Sequence, residues 1–159
     1  MPTLQIAHER FYCAFNRLLA GDPEPMEAMW EDSSECLSFS AFNEKSIGFA
    51  AIQAENRRMA LMKLGGKVKC DDFRVVEVGN IGYTTGVEVC EGLRGPTNQS
   101  INFCNRVTTI YRRGNTGWLV IHHHTDKYEG CGQLGTPVCT MRCMEPSCSC
   151  NVKGKMMKF

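Results

Sequence analysis

No stretch of this chain stays apolar for more than a few residues, so no segment approaches the roughly 20 apolar residues that a membrane-crossing helix needs. An excess of one charge is missing too. Eighteen Lys and Arg stand against 17 Asp and Glu, a net charge of +1, which leaves no basic field for nucleic acid or an anionic membrane surface. The first residues offer no apolar leader, because His8, Glu9 and Arg10 fall where one would lie; on this reading the protein is cytoplasmic. Internal repeats are absent. Cysteine is not scarce, at 10 residues, but no C-x2-C pair occurs, and in a reducing compartment free thiols are the default. What remains is a chain of 159 residues, 43% apolar and 22% charged, which is the size of one domain with its own core.

The apolar pattern divides it. In residues 4–20, Leu4, Ala7, Phe11, Ala14, Phe15, Leu18 and Leu19 recur at helical steps, and Gly21-Asp22-Pro23 stops them. A short second helix fits residues 25–30, and residues 36–42 alternate as a strand. Helical spacing returns over residues 47–64, where Phe49, Ile52 and Met59 share a face with Asn56 until Gly65-Gly66. Four strands follow, at residues 68–78, 81–91, 100–113 and 118–128, parted by Gly-rich turns. Helices that come early cannot serve as crossovers between late consecutive strands. The expected fold is therefore α+β, with a mostly antiparallel sheet and the helices on one face. Residues 129–159 break the pattern and read as a cysteine-rich C-terminal extension to a domain spanning 1–128, poorly ordered unless docked. Its Cys139, Cys143, Cys148 and Cys150 are irregularly spaced; a thiolate zinc site and an oxidisable tail both fit them.

Chemistry concentrates in His122-His123-His124, three of the four histidines of the chain. Strand geometry forbids three consecutive side chains from meeting at one ion. His122 and His124 share a face, His123 points the other way, and a catalytic zinc needs three ligands. The expectation is no metal and no cofactor, with a histidine carrying protons near its ordinary pKa of about 6.5. By alternation His123 shares a face with Leu119, Ile121 and Thr125, and alternation does not say which face is inside. On the preceding strand Arg106 shares a face with Thr108. It is either an anion clamp or a plain surface charge. Tyr83 and Thr85 share a strand face and could orient a ligand or water, or simply reflect strand propensity.

Residues 106–113, a short turn and residues 118–125, Trp-Leu-Val-Ile-His-His-His-Thr, resemble the closing hairpin of SnoaL-like proteins of the nuclear-transport-factor-2-like superfamily. Phe15-Asn16 through Gly21-Asp22 to Met29-Trp30, and Gly48 to Ile52, resemble its opening helix and third helix. The resemblance implies a cone-shaped fold, a strongly curved sheet wrapped over three helices with a pocket between them, and homodimers formed through the outer sheet surface. The histidine-rich strand is similar to that of iota-type carbonic anhydrases and of the association domain of calmodulin-dependent kinase. The arginines of that association domain match Thr108 and Thr125 here, so its anion clamp is not reproduced. Asp126 also departs from the iota-type ending.

By this likeness His123, Tyr83 and Thr125 would be catalytic, and Arg106, Thr108, Thr85, Tyr12 and Asn56 would hold the ligand. The function expected is metal-independent acid–base chemistry on a small molecule, by an isomerase, lyase or hydratase, with carbon dioxide hydration its sharpest form. The alternative is a non-catalytic module that dimerises and binds a ligand. Nucleic acid and membrane are not expected partners.

Overall fold

The computed structural model describes residues 1–40 and 43–133. Helix α1 spans Leu4–Leu19, and the Thr3 side chain caps it by accepting from the Ile6 N–H. Helix α2 is Glu24–Glu27, strand β1 Leu37–Ser40, strand β2 Asn43–Ile47 and helix α3 Phe49–Met62. Strands β3 (Lys67–Val78), β4 (Ile81–Arg94), β5 (Ser100–Arg113) and β6 (Trp118–Lys127) complete a mixed α+β fold. A short 3-10 helix at Glu129–Gln133 follows.

The order of the sheet is β2-β1-β6-β5-β4-β3. Every neighbouring pair is antiparallel except β1 with β6. The sequence pattern had given residues 43–47 no strand and had started the third helix at 47. In the structure they form an edge strand against β1, too short and polar to alternate, and Gly48 (φ +84°) turns the chain into α3. The expected strand at 36–42 runs beyond the described residues at its end.

Helix α1 lies across β3 and β6 along the inner side of the sheet, and its i, i+4 ladder of Leu4, His8, Tyr12 and Asn16 is buried throughout. Two glycines of β4 make room. A Cβ on Gly82 would come within 2.4 Å of the Leu4 side chain, and one on Gly86 within 2.6 Å of Cys70 Sγ. Further along, Asn16 docks the helix on β3 by giving Nδ2 to Val68 O at 2.8 Å and accepting the Val68 N–H at 2.9 Å.

The decisive irregularity is on β6. Ile110 pairs with His122 but Tyr111 pairs with Val120, so Ile121 is an extra residue. A β-bulge of this kind resets which face the side chains take. Trp118 and Val120 point inward before it, and His123 and Thr125 point inward after it. Strict alternation had placed His123 with Leu119 and Ile121. The bulge corrects that, and puts the histidine on the same side as the Trp118 and Val120 core.

Cys104 and Cys131 are disulfide-bonded, with Cα atoms 5.8 Å apart, inside the ordinary range. This corrects the free-thiol expectation at these two positions. Cys36, Cys70 and Cys90 are free and buried. The extension from residue 134, with its cysteine cluster, lies outside the described residues. No described helix is long and apolar enough to cross a membrane.

Candidate functional site

Three strands and one helix bring one buried polar cluster together. Glu88 comes from the inward face of β4, where its neighbours Gly82, Thr84, Gly86 and Cys90 are small and leave it space. It is 2% exposed. Tyr12, from α1, donates its hydroxyl to Glu88 Oε2 at 3.1 Å, and Asn105, from β5, donates Nδ2 to Oε1 at 3.3 Å. His123, from β6, places Nε2 3.7 Å from Glu88 Oε2. Its Nδ1 is 2.9 Å from the hydroxyl of Thr109 on β5, and the Phe11 ring packs 4.9 Å from the imidazole.

A cavity of about 40 Å³ opens on this cluster. Glu88, His123, Thr125, Asn56, Glu55, Ser38 and Ser40 supply its polar lining, and Phe11, Phe15, Trp30 and Met59 most of the rest. No Lys or Arg lines it among the described residues.

Burial controls the protonation of the pair. It pushes the Glu88 carboxyl up to about 7, against the opposing pull of the Asn105 and Tyr12 hydrogen bonds. It brings the His123 imidazole down to about 3, and His122, His8 and His124 add to that in the same direction. The Tyr12 phenol is raised by burial first, and so stays a proton donor. Near neutral pH the dyad is therefore an uncharged or half-ionised carboxyl facing a neutral imidazole, with one proton for two acceptors. The 3.7 Å separation slightly exceeds hydrogen-bond length, and a small rotation of either side chain closes it.

The sequence-derived site residues divide by face. His123, Thr125 and Asn56 line the cavity, and Tyr12 stands behind Glu88. Tyr83, Thr85, Arg106 and Thr108 do not reach it. They occupy the outer face, where Thr85 pairs with Thr108 and Tyr83 with Ile110. The reason is the parity of β5: Asn105, Val107, Thr109 and Tyr111 are the buried side, so their even-numbered neighbours turn away. Arg106 grips Asp126 with two hydrogen bonds, Nε to Oδ1 at 2.9 Å and Nη2 to Oδ2. The expected convergence of Arg106 and His123 on one hollow is thus corrected, and the unusual Asp126 is explained as the partner of that arginine. Both side chains are exposed, and such pairs contribute little to stability. Arg106→Ala should leave the urea midpoint and ligand binding in the cavity essentially unchanged. Loss of binding in that variant would return Arg106 to the site.

His122 and His124 also face outward, against the edge of Phe39 on β1 at 5.5 Å each. Among the described residues no three His, Cys, Asp or Glu side chains converge as metal ligands.

Sequence reasoning missed Glu88, Asn105 and Thr109. A signal was there for two of them. Glu88 is a carboxylate on a strand face otherwise made of Gly, Thr and Cys, and Asn105 interrupts the apolar row of Phe103 and Val107.

No family model matches the sequence, and no curated protein is found similar to it. Solved structures are. A protein from Thiobacillus denitrificans, provisionally named a calcium/calmodulin-dependent protein kinase type II association domain, superposes with a TM-score of 0.67 at 20% identity, covering 81% of this chain and 98% of its own. A nuclear transport factor 2-like superfamily protein from Salmonella enterica gives 0.63 at 19% identity over 82% of this chain and 99% of its own. A protein from Streptomyces avermitilis, provisionally named a dehydratase of the same family, gives 0.64 at 19% over 79% and 93%. The fold is that of the nuclear-transport-factor-2-like proteins. A fold of this kind hosts many unrelated functions, so the reaction has to be argued from the cavity.

Proposed function

We propose that this chain is a SnoaL-like, metal-independent acid–base enzyme acting on a small molecule in the cavity beneath α1, in the lyase, isomerase or hydratase class. One observation carries the reading. A buried carboxyl poised near neutral pH and a buried neutral imidazole, 3.7 Å apart, open together on a cavity of about 40 Å³. Glu88 gives or takes a proton, and His123 holds its partner proton while Thr109 fixes the ring. Tyr12 and Asn105 keep the carboxyl aimed. The Thr125 hydroxyl, which lines the cavity, orients substrate or water.

Carbon dioxide hydration is the sharpest form of this reading. A cavity of about 40 Å³ admits only a few water-sized groups, since one water needs roughly 10–15 Å³. Substrate and water both fit that scale. In the reaction, water held beside the neutral His123 ring would lose a proton to ionised Glu88 as its oxygen bonds to carbon, and the proton would later leave to solvent. The test is stopped-flow hydration of carbon dioxide by the full chain. Activity is expected, with His123→Ala lowering kcat at least about 100-fold, the scale of a misplaced reactant. Equal activity in the variant removes His123 from the mechanism, and no activity in the wild type removes hydration.

For the outer sheet face, where Tyr83, Ile110, His122 and Phe39 are only partly covered, we propose a second copy of this chain as partner, to be checked by mass in solution. A non-catalytic module that binds a ligand in the same cavity is the reading that remains if no turnover is found.

A further inference from the structure

The lining of the cavity specifies what it takes. Asn56 reaches it from α3 and shares its lining with Glu88 and His123. Its Nδ2 is buried and has no hydrogen-bond partner among the described residues. A buried amide donor left unpaired is costly, and buried polar groups in native folds are almost always paired. A ligand oxygen in the cavity would satisfy it. The same space offers no Lys or Arg, while two carboxyls, those of Glu55 and Glu88, and an imidazole that resists protonation line it. An anion placed there would lose its hydration without a counter-charge. The size of the cavity limits the ligand to about three water-sized groups at roughly 10–15 Å³ each.

We propose that Asn56 is a ligand-binding donor, and that the cavity selects a neutral oxygen acceptor of about three non-hydrogen atoms, carbonyl-like, whose oxygen receives the Asn56 Nδ2–H. This deepens the functional reading above, because it concerns the same cavity, but it does not depend on any turnover. The bound carbonyl oxygen points to Asn56 and its carbon faces the Glu88–His123 pair. Asn56 is thus a specificity determinant that sorts uncharged carbonyl compounds from carboxylates of equal size.

Formamide and formate are the probes, since each has three non-hydrogen atoms and they differ in charge. Binding is followed by the side-chain amide resonances of Asn56 in the full chain at pH 7. A ligand of so few atoms reaches millimolar affinity at best. Formamide is expected to move the Asn56 NH₂ pair saturably, and formate to bind at least tenfold more weakly. Asn56→Leu should weaken formamide binding about five- to tenfold, read from the His123 ring resonances, with the rest of the spectrum preserved. An Asn56 amide that does not respond to formamide overturns the proposal, as does formate binding as tightly as formamide. If Asn56→Leu fails to fold, the wild-type amide shifts still decide. Formamide binding through Asn56 in a protein that hydrates no carbon dioxide supports the ligand class while the reaction falls. Hydration with formamide affinity unchanged in Asn56→Leu overturns the ligand class while the reaction stands.

Discussion

Replacing Glu88 with glutamine is expected to remove turnover while sparing the fold. Glutamine keeps the volume, its oxygen can accept from Asn105, and the Tyr12 hydroxyl can reverse to accept from the new amide. What disappears is a proton that can be given and taken back. Loss of one general acid–base group costs typically 10²–10⁴-fold, so kcat should fall by about that factor. In the wild type kcat/KM should inflect near pH 7, where the Glu88 carboxyl titrates, and the inflection should vanish in the variant.

Stability gives a second readout, with the sign fixed by linkage. The folded-state pKa of Glu88 is raised from 4.5 to about 7, so the native state holds a proton that the unfolded state has released between those values. This stabilising contribution is complete below pH 4.5 and is lost as pH rises to 7. Relative to wild type, Glu88→Gln should gain about 1.4 kcal/mol per pH unit across that window and then level off. Urea midpoints at pH 4.5, 5.5 and 7 measure it. A flat difference would show that Glu88 titrates normally and is not the poised carboxyl.

His8 should be the acid weak point of the fold. It is 1% exposed, packed on the Phe73 ring at 4.5 Å and the Tyr12 ring at 5.1 Å. Neither ring nitrogen has a hydrogen-bond partner among the described residues. Burial lowers its pKa from 6.5 to about 3. The unfolded chain therefore binds a proton between pH 6.5 and 3 that the native chain refuses, and stability falls as pH falls through that range. The slope from this residue alone is about 1.4 kcal/mol per pH unit. His123 is shifted in the same direction and adds to it, whereas Glu88 opposes it above pH 4.5. The steepest loss accordingly comes below pH 4.5. His8→Leu keeps an apolar group against Phe73 and removes the charging step. At pH 7 it should unfold within about 1.5 kcal/mol of wild type, the usual cost of a volume-conserving core exchange. At pH 4 it should be the more stable of the two by several kcal/mol on the slope above, read as a higher urea midpoint. If both proteins lose stability in parallel on acidification, His8 is charged or partnered in the native state.

How much of this was legible beforehand differs by level. Helix α1 was plain because Leu4, Ala7, Phe11 and Leu18 repeat at helical steps and a Gly-Asp-Pro turn ends them. The four late strands were plain because glycine turns separate runs rich in β-branched residues. Strand β2 was not, because an edge strand of Asn, Glu, Lys, Ser and Ile is held by pairing with β1 and not by its own pattern. At the site, His123 and Thr125 were recognisable as unusual residues on one face. Arg106 was misplaced because a lone arginine mid-strand looks the same from either side until the partner strand shows where Asp126 lies.

Local order along the chain therefore determined the elements, their sequence and the α+β class, since those follow from apolar period and turn residues acting over a few positions. The inside of the sheet was a tertiary decision. One extra residue at Ile121 sets which face His123 takes, and the packing of α1 over Gly82, with the close approach of β3 at Gly86, sets which face of β4 is buried. Both are contacts between segments far apart in the chain, and alternation, which has only two phases, cannot choose between them. Glu88 became a poised acid for the same reason, because only the assembled helix and strands remove it from water and point Tyr12, Asn105 and His123 at it.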